Sequence, residues 1–385
     1  EWTRFNFVSA VPAGLVQFRA AKRDVWSSTG DADLLFWHST VTLRSSSCPI
    51  DIPTTTAPVA AVVGKVDGVI AFPANTPRQT SRGLLEEESR TNVVLYNRNL
   101  TNAAWTKTNA TAAKNQTGAD GVANSASSLT ATAANATALQ TITLASSARF
   151  QTARVKRLVG TGAVQMTMDG GTTWTAITLT GSWSRVSIPT QTIANPSVGF
   201  RIVTSGDAIA VDFVQNENGT YATSDIETAG VAVTRPAEPG NITGLGAYLT
   251  PPFTLYAEVD LPAIDGVQRV LAQARNDASN RIQTSREIDN AAKSINITAG
   301  TSTTTGSASG KTGARIVRIA TLVEATKQTT CIDGVDLAPV TVTPPSSLSI
   351  LDILNDGFGG APGNAYVRRI QIGRLERPNG GNVHQ

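Results

Sequence analysis

A stretch of strict two-residue alternation places the tightest constraint on what this chain can fold into. From Phe253 to Leu261 every odd-numbered residue is apolar. The residues between them are Thr254, Tyr256, Glu258 and Asp260. Because successive side chains of a β-strand point to opposite faces, this pattern predicts a strand with one face in a core and the other in solvent. One solvated face is typical of antiparallel sheets.

Hairpin signals recur elsewhere in the chain. Val164, Met166 and Met168 alternate with polar residues up to Asp169-Gly170-Gly171, and a second strand-like run follows at 172–179. Asp-Gly supplies the positive φ angles of a tight hairpin turn, and Asp333-Gly334 repeats the signal. Charged residues make up only 16% of the chain. Thr, Asn, Ser and Gly replace them, a composition that suits strands and turns rather than helical bundles.

These signals predict an all-β protein with two antiparallel jelly-roll or β-sandwich modules, preceded by an irregular N-terminal docking segment. The two prolines and the glycine of residues 235–240 mark the boundary between the modules. We therefore expect a docking segment at 1–83, a first module at 84–238 and a second module at 239–385. Further strands are expected at 315–323, as an inner strand, and at 366–375.

Helical signals are weak in this sequence. Residues 82–90 contain Glu86-Glu87-Glu88 and are the one stretch for which a helical turn or two is considered. A triplet of like charges is usually a solvated face, because the charges repel one another and keep their water. We expect these three glutamates to be exposed.

Charge and cysteine content exclude several classes of function. The net charge of +3 is small, and basic residues occur singly or in pairs, so we expect no nucleic-acid partner. No run of 18 apolar residues occurs, so we expect no membrane insertion. Cys48 and Cys331 are too far apart in sequence for a zinc motif and too few for a disulfide framework, and both are interpreted as buried thiols.

The sequence offers little that could carry catalysis, and we expect a non-enzymatic protein without a cofactor. Its only histidines are His38 and His384, and no Gly-x-Ser-x-Gly motif occurs. Glu258 and Asp260 share a strand face and could in principle form the acid–base pair of a glycosidase. A solvent-facing polar edge is the preferred interpretation of that pair.

Oxygen-rich turns and tryptophans supply the remaining candidate binding residues. Asn276-Asp277 with Asn280, and Asn355-Asp356, are possible calcium ligands, but we interpret them as turn formers and expect no metal. Trp105 and Trp183 lie in strand patterns and are assigned to the core. Trp174 comes just after the Asp-Gly-Gly turn, so it is the one candidate for ligand binding, although a core position is the preferred interpretation for it as well.

The segment 67–109 resembles structural proteins of tailed bacteriophages and prophages. The resemblance depends on four short motifs: Ala74-Asn75-Thr76-Pro77-Arg78, Arg82-Gly83-Leu84-Leu85-Glu86-Glu87, Arg90-Thr91-Asn92, and Asn102-Ala103-Ala104-Trp105-Thr106-Lys107. It implies that 84–238 is a jelly roll like that of a carbohydrate-binding module, with Trp183-Ser184-Arg185-Val186 as a later strand. Residues 239–385 then resemble the concanavalin A-like sandwich that often follows.

This resemblance implies a virion protein made in the host cytoplasm and transfers no catalytic residue. We expect a tail-fibre, receptor-binding or baseplate component that attaches to other virion proteins through residues 1–83. A homotrimer whose second module contacts a host-surface glycan is the preferred form, since trimerisation protects β edges and multiplies weak contacts. A structural decoration or assembly protein of the head or tail is the first alternative, and a polysaccharide depolymerase the second.

Overall fold

The computed structural model describes residues 59–62, 69–72, 78–80, 82–238, 240–357 and 364–373. Within these residues the regular secondary structure is entirely β-strand, which confirms the predicted all-β class. No described helix is long and apolar enough to cross a membrane. His38, Cys48, His384 and most of the predicted docking segment lie outside the described residues.

The strands up to the predicted module boundary are β1 (Val59–Val62), β2 (Val69–Phe72), β3 (Gln79–Thr80), β4 (Gly83–Glu86), β5 (Arg90–Asn92), β6 (Thr106–Thr108), β7 (Ala110–Gln116), β8 (Ala126–Ala131), β9 (Ala136–Thr141), β10 (Ser147–Val159), β11 (Val164–Thr167), β12 (Thr175–Ile177), β13 (Ser184–Ile193), β14 (Ser197–Ile202), β15 (Ala208–Asn218) and β16 (Val233–Arg235). Those beyond it are β17 (Gly240–Ile242), β18 (Phe253–Leu261), β19 (Arg269–Asp277), β20 (Asn280–Arg286), β21 (Ala292–Thr298), β22 (Thr301–Ala308), β23 (Arg315–Val323), β24 (Lys327–Ile332), β25 (Val335–Asp336), β26 (Val340–Thr341), β27 (Ile350–Ile353) and β28 (Ala365–Gly373).

The first sandwich consists of two five-stranded antiparallel sheets. One has the order β13-β10-β15-β8-β7, and the other has the order β12-β11-β14-β9-β6. Their facing side chains form one apolar core that includes Trp105, Met166, Phe200 and Val211. β11 and β12 pair antiparallel across the Asp169-Gly170-Gly171 turn, as the alternation predicts. The inward residues of β11 are apolar and its outward residues polar, so the register is determined by burial.

The second sandwich pairs a six-stranded sheet, β17-β27-β19-β20-β21-β22, with a larger sheet of order β25-β24-β23-β18-β28-β4-β3. β18 alternates between buried and half-buried side chains along its whole length, as predicted. It lies between β23 and β28, and β23 is an inner strand because β24 flanks its other side. Asp333 and Gly334 both have positive φ and close the predicted β24–β25 hairpin.

The hairpin of β3 and β4 joins the sheet of the second sandwich, although it precedes the first sandwich in the chain. β4 pairs with β28, with Leu85 opposite Tyr366 and Leu84 opposite Val367. Gly83 has a φ of +135°, and a side chain there would collide with the backbone carbonyl of Val367. The boundaries at 83/84 and 238/239 stay a prediction. Residues 84–86, however, form part of a strand in the larger sheet of the second sandwich.

The expectation for the glutamate triplet is wrong. Residues 83–86 form a strand instead of a helical turn, and Glu86 and Glu87 are buried. The physical reason differs between the two residues: arginines compensate the charge of Glu87, whereas burial favours the neutral form of Glu86. Arg78 and Arg235 both lie within ion-pair distance of Glu87.

Candidate functional site

A turn held by hydrogen bonds positions the one tryptophan that the sequence singles out for ligand binding. The Thr167 hydroxyl donates to Asp169 Oδ1 over 2.7 Å, and the Thr173 backbone N–H donates to the same oxygen over 2.9 Å. Burial opposes the charge on Asp169, but these hydrogen bonds outweigh it and lower the pKa of the carboxyl group. The turn therefore contains an ionised aspartate, and its hydrogen bond from Thr173 fixes the backbone directly before Trp174.

Trp174 is half-buried and belongs to neither apolar cluster of the first sandwich, so its preferred assignment to the core is wrong. The guanidinium carbon of Arg201 lies 4.6 Å from the centroid of its ring, which is a cation–π contact. Gly171, with a φ of +96°, packs so closely on the indole that an added Cβ would lie 2.8 Å from Cζ2. Arg201 is itself held in place, because its Nε donates to Gln165 Oε1 over 2.6 Å.

Trp174 and Arg201 lie at one end of a row of polar side chains that crosses the outer face of the β12-β11-β14-β9-β6 sheet. Thr108 lies opposite Thr137, Thr137 opposite Arg201, and Arg201 opposite Gln165 in the strand register. Neighbouring strands are about 4.8 Å apart, so this row spans about 14 Å. We call Trp174, Arg201, Gln165, Thr137 and Thr108 the Trp174 face. It combines one aromatic ring with one cation and several neutral hydrogen-bonding groups.

The other two tryptophans discussed above are core residues, as predicted. Trp105 is 1% exposed and donates its indole N–H to the Tyr96 carbonyl over 3.3 Å. Trp183 is 8% exposed and packs in a smaller cluster with Phe213, while Lys156 lies over its ring. Neither ring is available to a ligand at the surface.

On the second sandwich, Glu258 and Asp260 are both occupied by arginines. Arg82 donates to the two oxygens of Asp260 over 2.8 and 2.5 Å. Glu258 accepts from Arg318 over 3.2 Å and from the Tyr256 hydroxyl over 3.2 Å. Carboxylates held in this way form an ion-paired outer face, and this arrangement differs from a glycosidase pair with space for substrate between its members.

The candidate calcium ligands act as turn formers in the structure. Asp277 Oδ1 accepts from the Ser279 backbone N–H over 2.7 Å and from Asn280 Nδ2 over 3.1 Å, which closes the β19–β20 hairpin. These hydrogen bonds, the one from Asn280 first, lower the pKa of Asp277. Asn355 likewise accepts from the Gly357 N–H over 2.7 Å. Among the described residues, no group of three His, Cys, Asp or Glu side chains is placed to hold a metal.

A buried ionic cluster lies where the two sandwiches meet, and sequence reasoning missed it. Its members are Arg78, Glu86, Glu87, Arg235 and Glu238, which we call the junction cluster. Arg78 Nη1 donates to Glu87 Oε2 over 2.6 Å, and its Nε and Nη2 donate to the carboxylate of Glu238. The only sequence signal is the density of Arg and Glu between Arg78 and Arg90, which does not identify partners about 150 residues apart.

Burial sets different protonation states for neighbouring glutamates of this cluster. Burial opposes ionisation of Glu87, but Arg235, Arg78 and hydrogen bonding with Ser224 outweigh it and lower its pKa to about 2. Among the described residues, no side chain donates a hydrogen bond to either carboxyl oxygen of Glu86. Its burial, and next the neighbouring charge of Glu238, raise the pKa of Glu86 well above the usual range. The cluster thus contains an ionised Glu87 beside a Glu86 that favours its neutral form.

Comparison with known proteins gives no family for this chain: no family model matches it, and no curated protein matches it. Among solved structures, the toad ovary galectin in complex with thio-digalactose is 13% identical, covers 35% of this chain and 97% of its own, and has a TM-score of 0.27. The Xenopus laevis galectin-Ib is 10% identical, with coverages of 35% and 98% and a TM-score of 0.26.

The mouse laminin alpha1 chain, domains LG4-5, is similar over a longer stretch. It is 9% identical, covers 65% of this chain and 90% of its own, and has a TM-score of 0.26. All three TM-scores are far below 0.5, so these likenesses carry no argument about the function of this chain. Its all-β class stands on its own strands and sheets.

Proposed function

We propose that this chain is a non-enzymatic virion protein of a tailed bacteriophage, a tail-fibre or baseplate component that contacts a host-surface glycan through the Trp174 face. The phage assignment is supported by the resemblance of residues 67–109. The glycan assignment is supported by one observation: a half-buried indole, fixed between Gly171 and Arg201, at the end of a row of neutral polar side chains.

The chemistry of a sugar ring fits this arrangement. A pyranose has a C–H face, which packs on the flat surface of an aromatic ring, and hydroxyl groups at its edge. Arg201, Gln165 and the threonines of the row supply donors and acceptors for those hydroxyls. Contacts of this kind are weak singly, so assembly into a homotrimer would raise the avidity for a repetitive host surface.

Binding of the full chain to host cells or to a glycan array tests this function. We expect Trp174→Ala to lower the apparent affinity at least about tenfold, because truncation of an aromatic contact residue typically costs about 2 kcal/mol. Tyr256→Ala is the matched control, since Tyr256 is a half-buried aromatic on the outer face of the second sandwich. Loss of binding in Tyr256→Ala alone would move the contact to the second sandwich, where sequence reasoning places it.

No binding by the native chain would overturn the glycan proposal and favour a structural decoration protein of the head or tail. Equal binding by both variants would overturn the Trp174 face as the contact surface. The position of the chain in an intact particle distinguishes a tail-fibre or baseplate component from a structural decoration protein. A depolymerase would release reducing sugar from host polysaccharide during incubation. We expect no release from this chain, and the ion pairs of Glu258 and Asp260 with arginines support that expectation. Light scattering of the purified chain tests the homotrimer.

A further inference from the structure

Two arginines of the second sandwich are buried side by side without enough partners. Arg269 and Arg286 lie opposite each other in the register of β19 and β20. Both are 0% exposed. Burial, and next the positive charge of Arg286, lower the pKa of Arg269 to about 10. Tyr221 and Glu88 are close enough to Arg269 to affect its pKa in the opposite direction. Arg269 therefore lies near the place where the two sandwiches meet.

Most of their N–H donors have no acceptor among the residues that the structure describes. Arg269 Nη2 donates to the Ile264 carbonyl over 3.3 Å, and Arg286 Nη1 donates to Asp265 Oδ1 over 3.2 Å. Four nitrogen atoms are buried and have no hydrogen-bond partner in the described part of the chain: Nε and Nη1 of Arg269, and Nε and Nη2 of Arg286. A buried donor without a partner is costly, and the cost is larger for a charged group.

The charges at this position do not balance either. Among the described residues, Asp265 is the one carboxylate in an ion pair with either arginine, and its side chain is 43% exposed. Glu88 forms its ion pair with Arg90 and accepts a hydrogen bond from the Tyr221 hydroxyl. Two other buried arginines differ: Arg78 has Glu87 and Glu238, and Arg154 has Asp225, all as buried carboxylates. Arg269 and Arg286 therefore carry about one surplus positive charge in a buried place.

We propose that Arg269 and Arg286 form a binding site for one small monovalent inorganic anion, with chloride as the physiological type. A halide accepts hydrogen bonds from several directions, so it can satisfy the free N–H groups of both guanidinium groups at once. It also supplies one negative charge, which matches the surplus. The full burial of both side chains argues for a small ion rather than a sugar acid. The bound anion stabilises the folded chain, because it binds the native state and has no such site in the unfolded chain.

Thermal unfolding of the full chain in sodium chloride against sodium gluconate, at equal ionic strength, tests this site. We expect the melting temperature in saturating chloride to exceed that in gluconate by about 5 °C, the shift for an anion at roughly 100 times its dissociation constant. Arg286→Met is expected to lose this difference. Arg318→Met is the matched control and keeps it, since Arg318 is 48% exposed and pairs with Glu258 on the outer face.

Equal melting temperatures of the native chain in the two salts would overturn the proposal, as would an unchanged chloride effect in Arg286→Met. If Arg286→Met does not fold, crystals of the native chain grown or soaked in sodium bromide decide the matter by anomalous scattering. A bromide peak within hydrogen-bond distance of both guanidinium groups supports the site. Density for water alone at that place, with no anomalous signal, overturns it.

Discussion

At the scale of single residues, the junction cluster shows how strongly burial separates the behaviour of adjacent carboxyl groups. Glu87 is next to Arg78 and Arg235, so its charge is compensated inside the protein. Glu86 points to the neighbourhood of Gly240 and Glu238, where a second negative charge is unfavourable. Two neighbouring glutamates in one motif therefore affect the pH dependence of folding in opposite directions.

Glu86→Gln is expected to flatten the pH dependence of stability above about pH 4.5. Because the pKa of Glu86 is raised in the folded chain, the native state keeps a proton that the unfolded chain releases. That contribution to stability is fully present below the unfolded pKa and is lost as the pH rises through the folded one. Each unit of difference between the folded and unfolded pKa changes the free energy of unfolding by about 1.4 kcal/mol. The free energy of unfolding of Glu86→Gln should therefore rise relative to that of the native chain as the pH increases from 5 to 8.

Chemical denaturation at a series of pH values measures this effect. Glu227→Gln is the control, because the side chain of Glu227 is 61% exposed. The opposite behaviour is expected of Glu87, whose contribution is present above about pH 4.5 and is lost as the pH falls through its folded pKa of about 2. A native chain whose stability rises steadily from pH 5 to pH 8 in parallel with Glu86→Gln would contradict the assignment of a neutral Glu86.

Arg78→Met is expected to lower the free energy of unfolding by about 3–5 kcal/mol, since it leaves Glu87 and Glu238 buried with fewer partners. The control Arg318→Met removes a half-exposed ion pair with Glu258 and is expected to cost at most about 1 kcal/mol. Urea denaturation of both variants at pH 7 measures the difference. Similar losses in the two variants would show that the junction cluster contributes no more than a surface pair.

At the scale of elements, the β3–β4 hairpin extends the larger sheet of the second sandwich. β4 hydrogen-bonds to β28 and thereby covers an edge that would otherwise be open for pairing with another chain. Arg82, between the two short strands, pairs with Asp260 on β18 and lies 4.2 Å from the centroid of the Tyr366 ring on β28. The Arg82-Gly83-Leu84-Leu85 motif is thus explained by packing within this sheet.

Gly83→Ala is expected to detach this hairpin and to lower the free energy of unfolding by more than about 2 kcal/mol. A φ of +135° is readily adopted by glycine but strained for alanine, and an added Cβ would also collide with the Val367 carbonyl. Gly266→Ala is the matched control: its φ is +70° and no atom lies within 4 Å of the added Cβ, so only about 1 kcal/mol of strain is expected. Thermal unfolding of both variants measures the difference, and equal losses would exclude the collision as a cause.

At the scale of the whole molecule, the two sandwiches do not follow one another as separate segments of the chain. Strands β3 and β4 belong to the larger sheet of the second sandwich, and the first sandwich follows them in the chain. The chain then returns through Arg235 and Glu238 to the junction cluster. The junction cluster consists of residues on both sides of the first sandwich. Its ion pairs therefore close a loop that contains that whole module.

A fragment of residues 88–385 is expected to be less stable and to associate, compared with a fragment of residues 78–385. The ten residues removed include β3 and β4, so residues 365–367 of β28 keep β18 on one side but lose their partner strand on the other and become an exposed edge. They also include Arg78, Glu86 and Glu87 of the junction cluster. Size-exclusion chromatography and thermal unfolding of the two fragments measure this. A monomeric shorter fragment with an unchanged melting temperature would contradict the role of the hairpin.

The amino-acid sequence by itself determined the strands and their faces. The alternation of Phe253–Leu261 and the Asp-Gly turns at Asp169 and Asp333 predicted elements that the structure confirms, because these features depend on neighbours within a few residues. Trp105 and Trp183 were also placed correctly in the core. Trp174 was singled out from its position after a turn, and its glycan role stays a prediction.

Only the tertiary structure decided which charges meet. The glutamate triplet looked solvated because the contacts that bury it are not visible in the local sequence. Glu87 pairs with Arg235 as well as with Arg78, and the second partner of Arg78, Glu238, is 160 residues away from it. The surplus charge of Arg269 and Arg286 is invisible for the same reason, since each is an isolated basic residue at a strand end. Local periodicity sets which way a side chain points, whereas its electrostatic free energy depends on what the folded chain brings within a few ångströms.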